Sequence, residues 1–395
     1  MKRVTPGRDE FHLTLIGKYK QMKIGITCYP TYGGSGVIAT ELGKELALRG
    51  HEVHFISYAL PFRLSSYIEN IVFHEVEMSS YPLFEFPLYS LALASKMVEV
   101  AEYENLDLLH VHYAIPHAAS AFLAKQMIKS KMDLKIITTL HGTDITLVGL
   151  EPSFLPLVKF SIEQSDGVTS VSRFLKEKTI TNYSCEKPIE VIPNFIDSDF
   201  YKPDGKTAFR ERIAPNGEKV LVHTSNFRPV KRVPDTIKIL KKVIEDVPAK
   251  LILVGDGPDR SECERLCRQL DLCDQVKFLG KQEGLVEILN SADLFLIPSQ
   301  SESFGLAALE AMACGLPVIS SSVGGLPELI SHNKTGFIAE IGDIDRMAKY
   351  VVDLLSNDKK YKLFSQNARD RAVNKFDISK IIPIYEKHYQ TILNG

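Results

Sequence analysis

From Met22 onward the chain alternates short apolar runs with amphipathic stretches, and it does so in two successive series. The first series holds runs at Lys23–Cys28, Glu52–Ser57, Ile71–Val76, Leu106–His112, Leu134–Leu140 and Gly167–Val171. After the first run, Ser35–Arg49 carries Val37, Ile38, Leu42, Leu46 and Leu48 at helical spacing. Strands that are apolar along their length and separated by helices pair in parallel under a helix layer on each face. The segment Ile189–Asp197, with Pro193 and Asn194 inside it, closes the series. A polar stretch with Pro203, Gly205, Pro215 and Gly217 follows. A second series then runs through Lys219–Thr224, Lys250–Val254, Gln275–Leu279, Asp293–Ile297 and Pro317–Ser320. The pattern predicts an α/β protein of two tandem Rossmann-like, doubly wound domains, 22–195 and 196–377. They are expected to face a central cleft, because such sheets bind ligands outside the carboxyl ends of their strands. Ile378–Leu393 reads as a long terminal helix, and 378–395 would suit a crossing back to the first domain.

At 395 residues the chain is long enough for two such domains. Lys and Arg number 47 against 49 Asp and Glu, for a net charge of −2, which argues against a broad nucleic-acid-binding surface. No apolar run approaches the ~18–20 residues of a membrane span. The six cysteines fit no disulfide scaffold, and Cys263, Cys267 and Cys273 lack the partners of a zinc motif. They read as free thiols of a cytoplasmic protein. Residues 1–21 carry a charge of +3, and their apolar core, Phe11–Ile16, is interrupted by His12 and Thr14. That segment does not read as a signal peptide. It is taken as an extension outside the fold.

Five constellations carry chemistry. Tyr32-Gly33-Gly34-Ser35-Gly36 joins the first strand to its helix, where free N–H groups meet an anion. The second strand ends Phe55-Ile-Ser-Tyr-Ala59 without the carboxylate a nicotinamide ribose requires, so an anion or sugar-phosphate site is the better reading. His110, His112 and His117 form either a set of hydrogen-bonded structural histidines or the start of a metal-dependent hydrolase. Thr139-Leu-His141-Gly-Thr143-Asp144 makes a polar loop at a strand end. Arg228, Lys231 and Arg232 follow the first strand of the second series, where fixed cations suit phosphates. In Pro298–Ile319, Glu302 precedes a helix and Glu310 lies about two turns into it. Two carboxylates so placed can accept from the hydroxyls of a sugar and of a ribose, with a phosphate at the helix start between them.

The long motif Glu302-Ser-Phe304-Gly305-Leu306 to Glu310 resembles the retaining, nucleotide-sugar-dependent glycosyltransferases of family 4. So do Ser322-Val-Gly-Gly-Leu-Pro-Glu328, Lys334-Thr-Gly-Phe337 and Val254-Gly-Asp-Gly-Pro258. The resemblance covers about residues 22–375 and implies the GT-B fold. It implies that Glu302, with the backbone of Phe304, Gly305 and Leu306, holds the donor sugar, and that Glu310 holds the ribose. Lys231, with Arg228 or Arg232, would neutralise the diphosphate, and Gly34 would also face the donor. The family commonly has an Arg five residues before that lysine; here the position is Asn226. His141 would sit near the transferred sugar, so His141 and Glu302 are the catalytic candidates.

A narrower resemblance lies in Ile24-Gly-Ile-Thr-Cys-Tyr-Pro30, Leu60-Pro-Phe-Arg63, Phe73-His-Glu-Val76 and His110–His117. It implies transfer of N-acetylglucosamine from UDP-N-acetylglucosamine to the hydroxyl of L-malate, the first step of bacillithiol biosynthesis. Inositol phosphate is the alternative acceptor. Ser35, Arg63, Tyr113 and Thr143 are the acceptor candidates, Arg63 being the natural partner of a malate carboxylate. The resemblance implies no cofactor and no metal, and small-molecule substrates as the only partners; a homo-oligomer stays open.

Overall fold

Seven of the segments read from the sequence become strands of one parallel sheet, and five, joined by a sixth strand that the alternation did not mark, become another. The computed structural model describes residues 20–31, 33–78, 88–205 and 208–395. Most of the segment read as an extension, and Tyr32, lie outside the described residues.

The first sheet holds β1 (Lys23–Thr27), β2 (Glu52–Ser57), β3 (Ile71–Glu75), β4 (Leu108–His112), β5 (Lys135–Leu140), β6 (Gly167–Ser170) and β7 (Ile189–Val191). Its order is β3-β2-β1-β4-β5-β6-β7. The second holds β8 (Lys219–Thr224), β9 (Ala249–Val254), β10 (Val276–Gly280), β11 (Leu294–Ile297), β12 (Val318–Ser321) and β13 (Gly336–Ala339), in the order β10-β9-β8-β11-β12-β13. Every pairing is parallel. Both orders are doubly wound: the chain reverses direction across the sheet between β1 and β4, and again between β8 and β11. Central strands such as β4, β6, β11 and β12 are buried at every residue, as two covered faces require. The edge strand β3 is mixed.

The chain forms two compact units. One runs to Pro193 and takes in Ile381–Gly395; the other is Asn194–Lys380. The terminal helix Ile378–Asn394 therefore carries the chain back into the first unit. Its reason for docking there is chemical. Tyr385 and Tyr389 are fully buried, and the Tyr389 hydroxyl meets His110 Nδ1 at 2.7 Å. Glu386 accepts from Arg49 at 3.2 Å and meets His51 Nε2 at 3.1 Å, while Arg49 also donates to Glu45. Two carboxylates, one guanidinium and an imidazole thus share one buried network. Removal of Arg49 would leave two buried carboxylates without their shared cation.

In the second unit, a core of Leu221, Ile237, Leu251, Leu294, Ile319, Met347, Val351 and Phe364 fills the space between sheet and helices. Cys263 and Cys267 belong to that core, and burial pushes their thiols up to about 12 and about 11. They are packing groups. All six cysteines are free. Among the described residues no helix is long and apolar enough to cross a membrane.

Candidate active site

Each unit gathers its functional candidates at the carboxyl ends of its central strands.

In the first unit, helix Gly34–Leu48 starts directly after β1. Gly36 is required there: a Cβ would lie 2.6 Å from the Tyr29 carbonyl oxygen. Tyr113 follows β4 with φ 87, and its amide donates to the Thr139 carbonyl at 2.9 Å. Its hydroxyl donates to Ser35 Oγ at 2.8 Å. The Tyr113 ring lies 5.2 Å from the His141 ring, and His141 Nε2 meets His112 Nδ1 at 2.8 Å. Ser35, Tyr113 and His141 are thereby brought together at the β1/β4 reversal. Thr143 is exposed on the loop after His141. Arg63 stands on the loop after β2, with φ 71 and its guanidinium 5.7 Å from the Phe62 ring centre.

Asp144 organises this loop and was visible in the sequence only as one more polar residue. Its carboxylate accepts from the amides of Ala114 at 2.9 Å and Gly142 at 3.0 Å. Burial nevertheless raises it to about 6. Burial also lowers His141 and His110 to about 3 and His117 to about 4, and pushes His112 well down. All four imidazoles are neutral at pH 7.

The three-histidine metal centre is not formed. His110 spends both ring nitrogens, on Tyr389 and on Thr139 Oγ1 at 2.7 Å. His117 Nδ1 binds the His112 carbonyl, and its Nε2 meets the Tyr89 hydroxyl at 3.4 Å. Their sequence spacing was right for a shared strand face, but neighbouring elements take up the nitrogens.

In the second unit, Lys231 Nζ donates to Glu302 Oε1 at 2.6 Å, and Ser299 Oγ donates to the same oxygen at 2.9 Å. Helix Leu306–Ala313 follows, behind Gly305 at φ 97. Phe304 is buried. Glu310 is 7% exposed and accepts from the Tyr201 hydroxyl at 2.8 Å. Arg369 in turn donates to the Tyr201 and Ala313 carbonyls. Nothing in the sequence spacing pointed to Tyr201. Gly324 and Gly325 press against the Glu302 loop, where a Cβ on Gly324 would overlap the Glu302 carbonyl at 1.7 Å. Gly255 and Gly257 press in the same way against the Ser225 and Asn226 carbonyls of the basic loop. Arg232 is engaged by Asp235 at 2.6 Å, whereas Arg228 is exposed.

The model of glycosyltransferase family 4 matches residues 32–200, and that of the glycosyl transferases group 1 matches residues 205–371. Among solved structures, a glycosyltransferase of Rickettsia africae aligns with TM-score 0.80 at 22% identity, covering 95% of this chain and 100% of that one. Anabaena HepE, solved with UDP and glucose, aligns with TM-score 0.78 at 21% identity, covering 94% and 100%. The chain belongs to the family 4 glycosyltransferases and has the GT-B fold. Within that family, N-acetyl-alpha-D-glucosaminyl L-malate synthase of Bacillus anthracis is 50% identical over 374 residues, 94% of this chain and 98% of that protein.

Proposed function

We propose that this enzyme transfers N-acetylglucosamine from UDP-N-acetylglucosamine to the hydroxyl of L-malate with retention at the anomeric carbon. The observation that carries the reading is the 50% identity to the Bacillus anthracis synthase over nearly the full length of both chains. Placed in bacillithiol biosynthesis, the reaction is its first step, and the enzyme is cytoplasmic.

The second unit binds the donor. Glu302, preset by Lys231 and Ser299, accepts from sugar hydroxyls, aided by the backbone of Phe304, Gly305 and Leu306. Glu310, preset by Tyr201, accepts from the ribose. Lys231 and Arg228 neutralise the diphosphate; Arg228 is chosen because Arg232 is engaged by Asp235. Charge that develops on the leaving group is met by these cations and by the amides of the helix start, with no role for a metal in transfer. The first unit binds the acceptor through Ser35, Arg63, Tyr113 and Thr143, with Gly34 turned to the donor and His141 assigned to the transferred sugar. His141 is neutral, so it serves as a hydrogen-bonding group and not as a cation. The bond from the anomeric carbon to the diphosphate breaks, the bond to the malate oxygen forms, and the hydroxyl proton leaves with the phosphate. The products are UDP and the glycoside.

The test is acceptor-dependent UDP release. L-malate should drive release from UDP-N-acetylglucosamine, whereas D-malate and inositol phosphate should not. Efficient turnover with inositol phosphate would overturn the acceptor.

A further inference from the structure

On the opposite flank of the first sheet, three side chains that the transfer reaction does not use converge. His54 of β2 and His74 of β3 lie on the sheet face that carries Ile56, because His74 pairs with Ile56 in the parallel register. Helix Tyr89–Glu104 packs on that face through Leu93, Met97 and Val100, which share a core with Ile56. Its last residue, Glu104, thereby arrives beside the two imidazoles. One ligand atom from each of His54, His74 and Glu104 falls within 4.8 Å of the others, and among the described residues this is the one such group of three.

The hydrogen bonding around the cluster is that of a ligand set. His54 is 0% exposed, and its Nε2 lies 3.0 Å from Glu52 Oε1. Glu52 is ion-paired to Lys23 at 3.2 Å, so it is a carboxylate that accepts the Nε2 proton. With Nε2 turned to that carboxylate, Nδ1 is the ring nitrogen of His54 left to serve as a ligand. Nδ1 points at His74 Nε2, 3.0 Å away. A metal-bound imidazole held from behind by a carboxylate has this same arrangement, with an ion where the His74 proton now lies. Glu104 supplies the compensating negative charge, and the carbonyls at the end of its helix add to it.

The geometry points to a divalent transition-metal site, with His54 Nδ1, His74 Nε2 and a Glu104 oxygen as ligands. Two imidazoles and one carboxylate suit Zn2+, with the remaining position open to water. An ion bound to Nε2 of His74 leaves the ring proton on its Nδ1. The ion ties the edge strand β3 to β2 and to the end of helix Tyr89–Glu104. His54 lies three residues, roughly 10 Å, before the carboxyl end of β2, so the site is a structural clamp and takes no part in transfer.

The test is calorimetric titration of Zn2+ into the full-length, chelator-dialysed protein, alongside His74→Ala and Glu104→Gln. Both substitutions fall at partly exposed positions, and Glu104→Gln keeps the side chain's shape while removing its charge. The wild type should bind one ion at this site, and each substitution should weaken binding by about tenfold or more. Absence of saturable binding, or an affinity kept within tenfold in either variant, overturns the assignment.

Discussion

At the residue scale, the donor carboxylates are the sharpest expectation. Glu302 is half-buried and its partners are Lys231 and Ser299, so it contributes little to core packing. Glu302→Ala should abolish most turnover while leaving the melting temperature nearly unchanged. Turnover within a few-fold of wild type at saturating donor would remove Glu302 from the site. Glu310→Ala should weaken UDP binding by about 1.5–3 kcal/mol, the usual worth of a hydrogen bond to a charged group. Tyr201→Phe should weaken it by about 1 kcal/mol, since it removes only the group that orients Glu310. Calorimetry that finds UDP affinity unchanged in both would reject the role of Glu310. The two glutamates stood out in the sequence as a spaced pair of candidates; Tyr201 did not, because it reaches Glu310 across 109 residues of chain.

The buried histidines make a second residue-scale prediction. Folding lowers His110 and His141 to about 3, and His117 and His223, the latter buried on β8, to about 4, from 6.5. Between those values and 6.5 the unfolded chain binds more protons, so stability rises with pH and is lost as pH falls. Asp144 acts oppositely: raised to about 6 from 3.8, it costs stability as pH rises through that window. Four groups outweigh one, each contributing up to about 1.4 kcal/mol per pH unit. The melting temperature should therefore fall steadily from pH 7 to pH 5. A flat or rising profile would contradict the burial of these imidazoles.

At the scale of elements, the alternation of apolar runs predicts nearly every strand to within two residues, because a parallel strand covered on both faces has an uninterrupted apolar signature. β7 is shorter than the apolar run suggests, stopping at Val191 before Pro193. β13 escaped notice: Gly336–Ala339 is short, and it lies between turns at Asn333 and Gly342, where φ is positive. The convergence of His54, His74 and Glu104 was equally hidden, since register and helix packing create it. The glycine motifs resolve into two kinds. Gly324→Ala, at φ 56 and against the Glu302 carbonyl, should cost well over ~1 kcal/mol and weaken donor binding with it. Gly33→Ala should be tolerated, because Gly33 is extended and a Cβ there meets nothing within 4 Å. Equal melting temperatures for the two variants would show that the Gly324 contact does not hold the Glu302 loop.

At the scale of the whole molecule, the division of labour is the claim. As proposed, Lys231, Glu302 and Glu310 of Asn194–Lys380 serve the donor, and Ser35, Arg63, Tyr113 and Thr143 of the other unit serve the acceptor, with Gly34 and His141 of that unit assigned to the donor. Arg63→Ala should raise the KM for malate strongly and leave UDP affinity near normal; parallel loss of both would move Arg63 out of the acceptor site. Chelation should leave transfer intact, because the proposed charge neutralisation uses Lys231, Arg228 and backbone amides. The residues proposed for the donor were legible as groups, since their motifs are contiguous in the sequence. The juxtaposition of Ser35, Tyr113 and His141 was not legible, since they meet only through the sheet order. The decisive measurement is the identity and configuration of the product formed from UDP-N-acetylglucosamine and L-malate, by mass and by proton NMR of the anomeric position. The account predicts one product, the α-linked N-acetylglucosaminyl malate, formed in step with UDP. A β-linked product, or none with malate while another acceptor is consumed, would contradict it.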